Sequence, residues 1–186
     1  YNLMIDPPSK QKYELSVNLA STIEQIYRCR GQIIKNINFK EATSLVYINE
    51  NAFKNCVFLN EIEFPASLIS IKGYSFASCS FMKNVNFEKA KISFIGNNAF
   101  SNSRFLNNET IKFSNMGTIS SCAFSGTNIK KVCLSSSRSD AFICSEAFSN
   151  SKITSFKFEA LNDCKLSLMT SVFANCSFLE DVSILN

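Results

Sequence analysis

Glu61 and Glu63 stand two residues apart in the run EIEF, and Glu180 and Asp181 stand side by side near the chain's end. A pair of carboxylates is the minimal apparatus of glycoside-type hydrolysis, one group giving a proton while the other attacks or activates water. On a strand, residues i and i+2 share a face, so Glu61 and Glu63 read more simply as solvated neighbours. The chain has no histidine, which removes the commonest general base and with it Ser-His and Cys-His nucleophile pairs. Eight cysteines include no C-x-x-C pair, and without histidine they lack the spacing of a zinc site. Five glycines form neither a P-loop nor a convincing G-x-G-x-x-G. The expectation is a chain that is not an enzyme, with no cofactor and no metal.

What the sequence does contain is one phrase written repeatedly. NAFKNCVFLNEIEF at Asn51 returns as YSFASCSFMKNVNF, EAFSNSKITSFKF and SVFANCSFLEDVSI. Aligned on Phe53, Phe76, Phe100, Phe124, Phe148 and Phe173, the steps are 23, 24, 24, 24 and 25 residues. An aliphatic residue lies five places before each anchor: Ile48, Ile71, Ile95, Ile119, Ile143 and Leu168. A small residue lies three places after it, and a triplet spaced Φ-x-x-Φ-x-Φ follows, as in Leu59/Ile62/Phe64 and Leu179/Val182/Ile184. The third turn keeps only Ile111/Phe113 after an expansion. A weaker first copy places Ile26 at the anchor, Cys29 three residues on, and Ile34/Ile37/Phe39 as its triplet.

The Φ-x-Φ ending is the period-2 pattern of a strand with one buried face. One strand at the same place in every turn means a parallel sheet. A turn of about 24 residues cannot bury its own apolar side chains, but turns stacked about 4.8 Å apart align them into a continuous core. The predicted architecture is a β-rich solenoid: residues 1–30 an irregular start, and residues 31–186 one domain of six to seven turns.

The motif Φ-x-x-Φ-x-Φ followed by Φ-x-x-Φ-x-x-x-A-F-x-x-C resembles the leucine-rich repeats of the BspA type, over roughly residues 26 to 186. It departs from them in having Phe where Leu is usual, and in keeping Pro after a strand only at Phe64-Pro65. The resemblance implies a right-handed, curved leucine-rich-repeat solenoid with the parallel sheet on its concave face and short strands or 3-10 turns on the convex side. It also implies a role in adhesion or other protein–protein contact, as in surface proteins of bacteria and protozoa.

Alternation turns a double row of side chains out of the sheet. Its charge runs from Glu61 and Glu63, past Asn84 and Asn86, through Lys112, Lys131 and Lys157, to Glu180 and Asp181. This row reads either as a solvated strand face or as a striped docking surface for a protein ligand. Seven strands span only about 30 Å, which is small beside a standard interface of roughly 800 Å² per partner, so loops must contribute. The two longest connections, SSSRSDAF and EALNDCKL, supply Arg138, Asp140, Asp163 and Lys165 on neighbouring protrusions.

Cys29, Cys56, Cys79 and Cys176 share a repeat position filled elsewhere by Ser103, Thr127 and Ser151, which suggests small buried side chains and not disulfides. Alternation turns Cys133, off that ladder, outward. Phe58, Phe81, Phe105 and Phe178 form a second aromatic row, either stacked in the spine or lying on a lateral rim. Two glycosylation sequons occur, at Asn108 and Asn175; the latter recurs as Asn55, Asn102 and Asn150, the mark of a turn residue.

The net charge of +4 is scattered singly, which argues against nucleic acid. No apolar run reaches the length of a membrane span, and no leader segment is visible. Cell-surface or secreted placement is expected from the resemblance, with a cytoplasmic scaffold as the alternative. The chain stops inside its last strand triplet at LEDVSILN, so further repeats, a cap or end-to-end self-association are expected to cover that turn.

Overall fold

Each triplet forms a strand in the computed structural model, which describes residues 2–5, 15–18, 22–29, 34–39, 41–105 and 110–185. Sixteen strands follow one another. The first eight are β1 (Asn2–Ile5), β2 (Leu15–Asn18), β3 (Gln25–Cys29), β4 (Ile34–Asn38), β5 (Tyr47–Ile48), β6 (Glu61–Glu63), β7 (Ser70–Ile71) and β8 (Asn84–Asn86). The rest are β9 (Phe94–Ile95), β10 (Thr110–Phe113), β11 (Thr118–Ile119), β12 (Lys131–Ser136), β13 (Asp140–Ile143), β14 (Ser155–Ala160), β15 (Lys165–Leu168) and β16 (Asp181–Leu185). Odd-numbered strands up to β15 build one eight-stranded parallel sheet, the convex one. Even-numbered strands build two four-stranded sheets on the concave side, β2-β4-β6-β8 and β10-β12-β14-β16. The chain is a β-rich leucine-rich-repeat solenoid.

A third ladder closes each turn. The anchor N–H donates to the following turn, Phe53 to Ser75 O at 2.7 Å, Phe76 to Ala99 O at 2.7 Å and Phe100 to Ala123 O at 2.8 Å. Two residues before and two after each anchor the backbone is left-handed, with φ from 54° to 69°. Those twelve positions bend the chain round the anchor, and Asn fills half of them because its short amide tolerates this conformation best among side-chain-bearing residues. Asn55, Asn102, Asn150 and Asn175 are thus turn residues, as their recurrence suggested. Their amides are exposed, and that of Asn175 donates to Asn150 Oδ1 at 3.0 Å instead of to backbone.

The anchors pack as a column of nearly parallel rings. Phe76, Phe100 and Phe124 stack at 5.1 and 5.2 Å with planes within 4°, and the column continues to Phe53 on one side and to Phe148 and Phe173 on the other. A second column, Phe39, Phe64, Phe87 and Phe113, meets the first edge-on, as at Phe87 and Phe100. Tilted and offset contacts between columns suit the ring quadrupole, and the two columns run through a core completed by Ile, Leu, Val, Ala, Met and Cys.

Three readings of the sequence need correction. Ile26 pairs in register with Ile48, so it holds the aliphatic place and not the anchor place, and Cys29 lies on β3 instead of in the small-residue ladder. Phe105 is fully buried and bridges Met82, so it supplies the first apolar residue of the third triplet, which is complete. Phe58, Phe81 and Phe178 are about half exposed on the rim. Finally, the longer connections of the fifth and sixth turns do not bulge as loops alone. The added residues lengthen β12 and β14 to six residues, against three in β6 and β8.

The small-residue ladder selects a donor as well as a size. Cys79 Sγ donates to Phe53 O at 3.2 Å, Ser103 Oγ to Phe76 O at 2.5 Å and Cys176 Sγ to Phe148 O at 3.0 Å. Each caps the carbonyl of the previous turn's anchor, a buried acceptor that would otherwise lack a partner on that side. Cys56, Cys79, Cys122, Cys133, Cys144, Cys164 and Cys176 are free thiols. Burial pushes the Cys56 thiol up to about 12, from the usual 9.0, and holds the Cys79 thiol well above that usual value too. The unfolded chain releases these protons near pH 9 while the folded chain keeps them, so stability must fall as pH rises from about 9 to 12. The expected loss is about 1.4 kcal/mol per pH unit for each such thiol. Denaturant titrations at stepped pH check this: Cys56→Ser, whose hydroxyl stays neutral, should flatten the slope by about one thiol's share.

Candidate functional site

The concave face divides where the third turn expands. Strands β8 and β10 belong to separate sheets, and residues 106–109, which include Asn108, lie outside the described residues. The bridge from Met82 to Phe105 crosses the break, and a side chain braces the far side of the third turn. Asn128 Nδ2 donates to Phe105 O at 3.3 Å, and Phe105 N–H donates to Asn128 Oδ1 at 2.7 Å, so one amide imitates a strand and ties the third turn to the fourth. A groove of about 310 Å³ runs along the seam between Asn84–Glu88 and Thr110–Lys112.

On the N-terminal side of the seam the face is acidic and amide-rich. Glu61 and Glu63 project from β6, with Asn84 and Asn86 in register on β8. Asn84 Nδ2 donates to Glu61 Oε1 at 3.0 Å, and Lys89 Nζ pairs with Glu63 Oε1 at 2.6 Å. Asn86 is committed to its own turn, accepting the Glu88 N–H at 2.8 Å. These groups line a groove of about 740 Å³ that extends to Asn36, Asn38 and Pro65. Internal pairing leaves Glu61 and Glu63 as acceptors already engaged, in a groove open to solvent.

On the C-terminal side the face is basic. Lys112, Cys133 and Lys157 stand in register across β10, β12 and β14, and Lys131 lies beside Cys133 on the same face of β12. Lys112 makes a loose pair with Glu88 across the seam at 3.5 Å. Among the described residues neither Lys131 nor Lys157 forms an ion pair. Cys133 is half-buried between them, its outward turn as alternation requires. Glu180 and Asp181 close the row, Asp181 accepting the Ser183 hydroxyl at 3.1 Å.

The connection residues sit elsewhere. Asp140 and Lys165 face each other in register at the start of β13 and β15, in the convex sheet. Arg138 leans back over Gly117, where any β-carbon would come within 3.0 Å of its Nε. Asp163 is one of two consecutive left-handed residues, with Asn162, in the turn after β14. All four are exposed but belong to the rim and convex side, so they do not join the concave lysines in one patch. Sequence reasoning missed Glu88, Lys89 and Glu159. One more step of alternation beyond Asn86 and Lys157 reaches Glu88 and Glu159, so the signal was there.

Comparison with known proteins agrees with this geometry. The profile of the BspA type leucine rich repeat region matches in six copies, over residues 21–141 and 109–186. No curated protein and no solved structure gives a significant match to the chain. Among the described residues no helix is long and apolar enough to cross a membrane. Repeat register, parallel sheets and profile coincide over all but the first twenty residues: the chain belongs to the BspA-type leucine-rich repeat family.

Proposed function

We propose that this solenoid is a non-catalytic protein-binding module, displayed at the cell surface or secreted, that engages a protein ligand in adhesion through its concave face. The observation that carries the reading is the patch of Lys112, Lys131 and Lys157 on a parallel sheet, with an open groove of about 350 Å³ over Lys112 and Lys157. Charge held on a preorganised surface favours recognition, because little backbone order is lost on docking. Arg138, Asp140, Asp163 and Lys165, on the rim and convex side, would add contact only for a partner that wraps round the solenoid's edge. The exposed apolar edge of β16, with Val182 and Ile184, offers a place for end-to-end self-association as a subsidiary part of this reading.

Changing Lys112, Lys131 and Lys157 together to Glu is expected to weaken capture of the partner at least tenfold, while the charge-matched change of Lys54, Lys91 and Lys152 leaves it within about twofold. Equal losses in the two variants would assign the effect to net charge and not to the concave face. A second reading, a cytoplasmic scaffold, is favoured by the free thiols of Cys56, Cys79, Cys122, Cys133, Cys144, Cys164 and Cys176. Thiol titration of the native, secreted product under denaturing conditions separates the two.

A further inference from the structure

The basic patch is short and fenced. Lys112 and Lys157 flank Cys133 one strand away on either side, and Lys131 adjoins it along β12, so the three ammonium groups cover about 10 Å of the solenoid axis. Carboxylates stand before it at Glu63 and Glu88, after it at Asp181, and beside it at Glu159, two residues along β14 from Lys157. A groove of about 350 Å³ passes over Lys112, Cys133 and Lys157, with Glu88 and Glu159 in its wall.

We infer that this patch seats a short acidic segment of a protein partner, about three residues long, and rejects long polyanions. The inference rests on the concave-face reading above and adds its chemical class. Three extended residues span about 10 Å, the width of the patch. A longer anion running along the axis would lie over Glu88 or Asp181, within the roughly 8 Å Debye length at physiological salt, and would be repelled there. Basic residues on either side of the acidic core would meet the same carboxylates favourably. The complementary ligand is therefore an acidic triplet with lysine or arginine flanks, laid perpendicular to the strands.

Cys133 reports occupancy directly, since a segment bridging Lys112 and Lys157 covers its thiol. The experiment measures alkylation rates of Cys133, Cys122 and Cys144 by mass spectrometry with four probes: a heptapeptide of two lysines, Glu-Asp-Glu and two lysines; its charge-inverted counterpart; a uniform hexaglutamate; and a heparin oligosaccharide. The first probe is expected to slow Cys133 about tenfold and leave Cys122 and Cys144 unchanged, an effect lost in the triple Lys→Gln variant and at raised salt. Folding of that variant is checked by its circular dichroism melt. Equal or better protection by hexaglutamate or heparin overturns the inference, as does protection that survives Lys→Gln. Protection by the charge-inverted peptide alone overturns the acidic class while leaving the concave face a binding face. Protection by none of the four overturns the inference too. The concave-face reading then stands or falls separately, on whether a photo-crosslinker at Cys133 captures a protein.

Discussion

Phe100→Ala is expected to destabilise the solenoid by about 3–5 kcal/mol, the cost of emptying a fully buried aromatic site. The ring is stacked on Phe76 and on Phe124, touches Phe87 edge-on at 5.7 Å and lies 5.7 Å from Phe105. No neighbour can collapse into the gap, because each is held in its own turn by the hydrogen-bonded ladders on three sides. Truncation also removes the ring that couples the third turn to both adjoining anchors, Phe76 and Phe124. In a stack where each turn touches only its neighbours, that lesion weakens cooperation between the two halves. Denaturant unfolding should show a lower midpoint and a broadened transition. Phe58→Ala, half exposed on the rim, should stay within about 0.5 kcal/mol, which makes it the matched control.

Gly96→Ala carries the second large effect, and its cause is steric. A β-carbon at Gly96 would lie 2.5 Å from Gly73 N, 2.7 Å from Lys72 C and 3.1 Å from Gly73 Cα. These are backbone atoms of the preceding turn, and they cannot swing aside as a side-chain end would. The spacing is also pinned, because Gly96 N–H donates to Ile71 O at 2.8 Å. Overpacking of this kind costs about 3 kcal/mol, the top of its usual range, and a fall of about 6–12 °C in melting temperature is expected for a chain of this size. Gly73→Ala meets its nearest atom, Asn97 O, at 3.2 Å and should be milder.

The period of the chain was legible because burial of a ring enforces one residue type at one spacing. Phe53 through Phe173 could be aligned without knowing any angle, and the two concave columns followed. Phase errors arose where two positions accept the same residue. Phenylalanine suits both the half-exposed rim, as at Phe58, and the buried start of a triplet, as at Phe105, so a one-residue deletion before Phe105 left no trace in composition. Ile26 was ambiguous for the same reason, since an aliphatic strand residue and a degenerate anchor look alike. The left-handed positions before the anchors were not legible at all: Asn51, Tyr74, Asn98, Cys122, Glu146 and Ser171 share a backbone angle and no side-chain chemistry.

The candidate face was legible to the depth of strand alternation. Glu61, Glu63, Asn84, Asn86, Lys112, Lys131 and Lys157 all project as period 2 requires. Their internal pairing was not readable, because Lys89 reaches Glu63 from beyond the strand and Glu88 reaches Lys112 across a break in the sheet. Nor could spacing show that Arg138 and Lys165 would end on the convex side. A connection's destination depends on which sheet its residues join, and both sheets accept extended chain.

A photo-crosslinker tests the concave face most directly. It is attached to Cys133 on β12 and, in a Cys133→Ser variant, to Thr118→Cys on convex β11, with Cys122, Cys144 and Cys176 changed to Ser in both. Illumination in the presence of surface proteins should yield one dominant adduct from Cys133 and none from the convex site, with the yield cut at least tenfold when Lys112, Lys131 and Lys157 are Glu. The same adduct from both faces, or from the convex face alone, would contradict recognition through the concave sheet.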